Sequence, residues 1–160
     1  MADLDHRFVS PPYLRLTDRR KTSSGEANVW HLRVAQPNVT HIQSQIMHSV
    51  EHFLGDYLTA ASDEVVSVAP MGCQTGFYIV TSIGLFDELS ALLVKVLETV
   101  ASATAVPHAD TVQCGWAANH SLQGAKNLAS WLLDHKSEWG DPGNNSRELQ
   151  SGVDRKNVMI

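Results

Sequence analysis

The chain has 160 residues, which is room for one domain and enough length to bury an apolar core without staples. Hydrophobic residues make up 43 % and charged residues 18 %, with 10 Gly and 6 Pro, which excludes disordered, collagen-like and coiled-coil chains. Twelve Lys and Arg against 17 Asp and Glu leave a net charge of −5, and no basic cluster exceeds Arg19-Arg20-Lys21, so neither nucleic acid nor a membrane is expected as a partner.

The apolar stretch 91–106 is interrupted by Lys95 and Glu98, too broken for a bilayer span. Asp3 and Asp5 stand where an export signal needs cations, and no apolar run follows, so a soluble, cytoplasmic protein is expected. In that setting Cys73 and Cys114 are expected as free thiols, ligands or catalysts rather than as a disulfide. Eight histidines, spread along the chain, are a first hint of metal chemistry.

Residues 17–26 are charged and small and read as an exposed loop or hairpin tip. Residues 27–36 form a strand by β-branched and aromatic content, with Trp30, Leu32 and Val34 on one face and His31 and Arg33 on the other. Residues 41–58 form a helix whose apolar stripe is Ile42, Ile46, Val50, Phe53 and Tyr57. Two short apolar strands, 65–68 and 76–83, are joined by a tight connection over 70–75. A second amphipathic helix covers 85–101, a further strand is expected at 111–115, and Ser121 is placed to cap a third helix with Leu122, Ala125, Leu128, Ala129 and Leu132 inward. From 137 the chain is polar and rich in Gly, Pro and Asn, so 137–160 is expected as a tail, at least partly disordered, on a domain of residues 1–136. Several connections are too short for parallel crossovers. The expected fold class is therefore α+β, a mainly antiparallel sheet with helices on one face.

Within the first helix, HSVEH over 48–52 is an H-x-x-E-H pattern. His48 and His52 are four apart, so both imidazoles leave one face and can grip one ion. At about 100° per residue from Ile42, the stripe centres near ~50°, whereas Glu51, His48 and His52 fall near ~180°, ~240° and ~280°. The candidate ligands thus sit opposite the core, beside Ser44, Gly55 and Thr59, as on the wall of a cleft. Glu51 is placed to move protons rather than to ligate. A catalytic site of this kind wants a third protein ligand and an open position, which either Cys73 or Cys114 could supply as thiolate.

Three stretches taken together resemble one family: HSVEH (48–52), PMGCQTGFY (70–78) and QCGWAANHSLQGAK (113–126), extended toward the N-terminus by Asp5-His6, PYLR (12–15) and LRVAQPN (32–38). They are similar, in the same order, to the S-ribosylhomocysteine lyase (LuxS) family. The resemblance implies a homodimer with active sites shared between subunits and one divalent metal per subunit, Fe2+ natively and Zn2+ or Co2+ possible. It implies His48, His52 and Cys114 as metal ligands, Glu51 and Cys73 as the acid/base pair, and His6 and Arg33 reaching the ribose from the partner subunit. Ser67 and Val68, shortly before the motif cysteine, are the candidates for binding the rest of the substrate. The implied reaction splits S-ribosylhomocysteine into homocysteine and 4,5-dihydroxy-2,3-pentanedione, the precursor of the quorum-sensing signal autoinducer-2, by two carbonyl shifts and a β-elimination. The chain departs from the family pattern at three places: Met1-Ala2 where Ser-Phe is usual, Thr59 in place of an arginine, and Ser67 in place of an acid. A diverged, non-catalytic metal-binding homologue and a short H-x-x-E-H metallohydrolase are the other readings. His31, His41, His108, His120 and His135 are assigned to structure or surface.

Overall fold

A computed structural model describes residues 3–23 and 25–149. The elements run β1 (Tyr13–Thr22), β2 (Gly25–Arg33), α1 (Ser44–Ala61), β3 (Val65–Pro70), β4 (Gly76–Thr81), α2 (Phe86–Ser102) and α3 (Leu122–Asp134), then a short 3-10 turn, Lys136–Glu138. The four strands form one antiparallel sheet in the order β1-β2-β4-β3. The architecture is α+β, as expected.

Strand alternation decides which face is buried. Leu14 and Leu16 pair with Leu32 and Trp30, which pair in turn with Phe77 and Ile79, and Val68 lies opposite Ile79. All belong to one core with Phe53, Leu54 and Leu58 of α1, Leu89, Leu93 and Leu97 of α2, and Ala125, Ala129 and Leu132 of α3. The buried arc of α1 is wider than the stripe read from sequence, taking in Met47, Leu54 and Leu58, because this helix packs on β3 as well as on α2 and α3. Among the described residues no helix is long and apolar enough to cross a membrane.

The segment 17–26 is a hairpin tip, as read from sequence, since Arg19, Arg20 and Lys21 pair with Asn28, Ala27 and Glu26 at the end of the β1–β2 ladder. Two local expectations change. The strand expected at 111–115 is a turn: Asp110 Oδ1 accepts from the Val112 and Gln113 amides at 2.7 and 3.0 Å, and its carbonyl accepts from Cys114 N at 3.0 Å. A side chain that satisfies its own neighbours' amides competes with a ladder and wins here. Nor does the fold end at 136. Trp139 is fully buried in the core, its carbonyl accepts from Leu14 N at 2.9 Å, and Leu4 bridges to Glu148. Residues 150–160 lie outside the described residues.

The turn between β3 and β4 is fastened on three sides. Thr75 O accepts from Val34 N and Ala35 N at 2.8 and 3.0 Å, Gln74 O accepts from Ile42 N at 2.8 Å, and Met71 N donates to Gly76 O at 2.9 Å. Gly76 faces Arg33 in the β2–β4 register, and a Cβ there would lie 2.1 Å from Leu32 O. Backbone cannot yield as a flexible side chain does, so Gly76→Ala should cost about 3 kcal/mol in urea unfolding, the upper part of the overpacking range. Unchanged stability would contradict this close approach.

His31 on β2 lies opposite Tyr78, their rings edge to face at 4.8 Å. Burial, then the nearby Arg33 charge, holds its imidazole down at about 4, below the ordinary 6.5. Between those values the unfolded chain binds a proton that the folded chain refuses, so stability falls as pH drops from 6.5 toward 4. Allowing for partial exposure, the loss is about 1–2 kcal/mol. His31→Phe should flatten that part of the stability–pH curve, measured by urea unfolding from pH 7 to 4.

Candidate metal centre

α1 and the long connection between α2 and α3 build the centre together. Each α1 histidine is held through its Nδ1 by a carbonyl of that connection: His48 by Asn119 O at 3.0 Å and His52 by Pro107 O at 2.8 Å. A carbonyl can only accept, so both rings carry the proton on Nδ1 and present a bare Nε2. Outer partners of this kind orient metal-ligating imidazoles. The two rings meet nearly perpendicular, 77° apart with centroids 4.8 Å apart. Asp110 turns the connection so that Cys114 Sγ lies 3.4 Å from His48 Nε2. The amides of Val112 and Gln113 hold the Asp110 carboxyl below its ordinary value, so the turn keeps its charge.

Ligand atoms of His48, His52, Cys114 and His120 all lie within 4.8 Å of one another. Imidazole nitrogen and thiolate together suit zinc, iron(II) or cobalt, so the donor set fits a divalent ion of this type. Of the two cysteines left open by spacing, Cys114 joins the histidines and Cys73 does not. His120, assigned to structure or surface from sequence, stands in the cluster. The signal that could have placed it was its position six residues after Cys114, inside the same segment.

Glu51 projects beside the cluster, its Oε2 3.9 Å from His52 Nε2. It lines a cavity of about 390 Å³ with Ser44, His48, Gln74 and Trp116, and a second of about 410 Å³ with His52, Asp56, Thr59 and His108.

Cys73 occupies a separate setting. Its Sγ lies 3.0 Å from Thr75 Oγ1 and 3.9 Å from an Arg33 guanidinium nitrogen that also donates to Thr75. Burial pushes the thiol up, but the Thr75 hydroxyl and amide and the Arg33 charge outweigh it, leaving the thiol below its ordinary value. Arg33 is 4 % exposed, and among the described residues its Nε has no hydrogen-bond partner. His6 is exposed and shares with Cys73, Thr75 and His41 a cavity of about 370 Å³.

The two remaining candidates are on β3. Ser67 is exposed opposite Val80, whereas Val68 is buried in the core and could meet a ligand only through its main chain. Neither lines these three cavities. Met1 and Ala2 lie outside the described residues.

The family model described as S-Ribosylhomocysteinase (LuxS) matches residues 2–142. The chain belongs to the LuxS family. It is 43 % identical over 143 residues to the S-ribosylhomocysteine lyase of Helicobacter pylori (strain P12), covering 88 % of this chain and 92 % of that protein. The enzyme of the same name from Oceanobacillus iheyensis is 40 % identical over 141 residues (87 % and 92 % covered), and that of Staphylococcus saprophyticus 39 % over 141 residues (87 % and 90 % covered). The LuxS match runs past residue 136 to 142 and so takes in buried Trp139.

If Arg33 and Thr75 hold the Cys73 thiolate, Arg33→Met and Thr75→Val should each move the pH midpoint of Cys73 alkylation upward, slowing reaction at pH 7 and restoring it at higher pH. Superimposable profiles for wild type and both variants would contradict this.

Proposed function

We propose that this chain is a metal-dependent carbon–sulfur lyase of the cytoplasm that cleaves S-ribosylhomocysteine to homocysteine and 4,5-dihydroxy-2,3-pentanedione, the autoinducer-2 precursor. The observation that carries this reading is the pairing of two sites: a cluster of bare imidazole nitrogens and a sulfur beside Glu51, and a separately activated thiol at Cys73. His48, His52 and Cys114 would hold the ion, with Fe2+ the expected resident and Zn2+ or Co2+ able to replace it. A bound divalent ion supplies Lewis acidity toward the oxygens of the open-chain sugar.

The residues do the proton work. Moving the carbonyl along the ribose requires a proton taken from one carbon and returned to its neighbour, twice, before the thioether can leave. Two groups facing the sugar from different sides suit that task. The Glu51 carboxylate is one. The Cys73 sulfur, kept toward its thiolate by Thr75 and Arg33, is the other. The unpartnered Nε of Arg33 is a donor that a sugar hydroxyl could satisfy.

Within one copy, Glu51 and Cys73 line different cavities. This favours a homodimer in which the metal cluster and Glu51 of one subunit face Cys73 of the other, accompanied by the Arg33 beside that thiol and the His6 that shares its cavity. At the amino-acid end, Thr59 turns its hydroxyl back to Gly55 O and Asp56 O at 2.6 and 3.1 Å, so it offers no cation to the substrate carboxylate. Thr59→Arg should therefore lower KM for S-ribosylhomocysteine.

Release of free thiol from S-ribosylhomocysteine by metal-loaded protein tests the main reading. Wild type should turn over, and Glu51→Gln and Cys73→Ala should each lose about 10²–10⁴ in kcat. Mixing and refolding the two inactive variants should restore about a quarter of wild-type activity, because half the dimers then carry one intact shared site of two. No turnover by wild type would leave a metal-binding homologue without catalysis. Turnover by both variants, with no complementation, would contradict the roles given to Glu51 and Cys73.

A further inference from the structure

Residues 3–12 precede β1 and lie outside the four-stranded sheet, yet this arm carries His6 to the cavity of Cys73. The turn that does so is local. Phe8 N donates to Asp5 O at 3.0 Å, which places His6 and Arg7 at the two central positions. The Asp5 carboxylate closes it, accepting from Arg7 N at 3.1 Å and from Arg7 Nε and Nη2 at 3.0 and 2.6 Å. These contacts shape the turn but fasten it to nothing else. Leu4 and Val9, one on each side of the turn, are buried with Tyr13 in a cluster of three, separate from the main core. Such a cluster is small for the length of chain it must order, and terminal segments stay mobile unless they are tied down.

The chain beyond the core supplies the ties. Trp139 is fully buried, and after it Pro142 O accepts from Ser10 N at 2.7 Å. Gly143, at φ 108°, then turns the chain back along the arm, closed by Ser146 N donating to Gly143 O at 2.8 Å. Residues 147–149 run antiparallel to residues 3–5. Asp5 N donates to Arg147 O at 2.8 Å, Leu149 N donates to Asp3 O at 2.7 Å, and Leu4 bridges to Glu148. The Arg147 guanidinium also lies over the Phe8 ring, 4.1 Å from its centroid. This strap therefore grips Asp5 and Phe8, the first and last residues of the turn. Between them, Gln36 Nε2 donates to His6 O at 3.0 Å. Among the described residues no hydrogen bond holds the His6 ring itself. A backbone fixed at three points around a free side chain presents that side chain to a ligand. The LuxS match ends at residue 142, so residues 143–149 are no part of it.

We propose that the C-terminal strap, residues 142–149, holds His6 in place for the substrate, with Arg147 and Leu149 as positioning residues. Ordering the arm in advance spares the sugar that cost on binding. Loosening the strap should therefore weaken binding and leave the chemistry at Glu51 and Cys73 unchanged. This inference rests on the reading of His6 as a substrate-binding residue.

Kinetics of the metal-loaded, full-length protein with S-ribosylhomocysteine test it. His6→Ala should raise KM about tenfold, the worth of one good hydrogen bond. The strap variant combines Arg147→Ala, which uncovers Phe8, with Leu149→Pro, which removes the donor to Asp3 O and suits the extended backbone before it. Its KM should rise about threefold or more while kcat stays within about twofold, with metal content and the Cys73 alkylation profile unchanged. Added to His6→Ala, the strap changes should raise KM no further. Arg147→Lys alone keeps a cation over the ring and should keep the wild-type KM. A wild-type KM in the strap variant, or an effect that adds in full to that of His6→Ala, would overturn the inference and leave the reading of His6 standing. A wild-type KM in His6→Ala would overturn both. Hydrogen exchange in wild type needs no variant to fold: the Asp5 amide should be protected, and exchange at the free-peptide rate would overturn the strap.

Discussion

Two main-chain carbonyls aimed at two imidazoles carry most of what this molecule can do. Pro107 O and Asn119 O each take the Nδ1 proton of an α1 histidine, and this leaves both Nε2 lone pairs bare and oriented. The same connection that supplies those carbonyls also supplies Cys114, so ligand placement and ligand tautomer depend on one segment. Asp110 gives that segment its turn by satisfying the Val112 and Gln113 amides locally. Without those contacts the helix would present two surface histidines and no site.

The second site is built on different principles. It relies on the sheet, where the β3–β4 turn is bound to the end of β2 through Thr75 O and to the approach to α1 through Gln74 O. Gly76 lets β4 approach β2 closely enough for Arg33 to reach the turn. A buried guanidinium, a hydroxyl and an amide then offset the partial desolvation of a thiolate at Cys73, which is itself exposed. One site is organised by helix and connection and the other by sheet and turn, which is why they line separate cavities in one copy.

Much of this was legible in the residues. The three- and four-residue spacing in α1 and α2, the alternation at Trp30 and Leu32, and the Ser121 cap, which accepts from Gly124 N, all act over a few positions and correspond to the observed elements. The pattern at 48–52 identified the metal-binding face for the same reason. What escaped depends on contacts between distant segments. Trp139 reads as part of a polar tail until Leu14 donates to its carbonyl. His120 reads as a spare histidine until α1 and α3 bring Ser49 against it. Asp110 carried a local signal, a turn-forming side chain ahead of Thr111, that strand propensity at 111–115 obscured.

The central claim is that these donors hold a single divalent ion. Elemental analysis of protein purified without chelators tests it most directly, comparing wild type with Cys114→Ser. The account predicts one equivalent of iron, zinc or cobalt per wild-type chain and a large loss in the variant while the fold is retained. A wild-type protein free of such metal, or a variant that keeps its full equivalent, would contradict it.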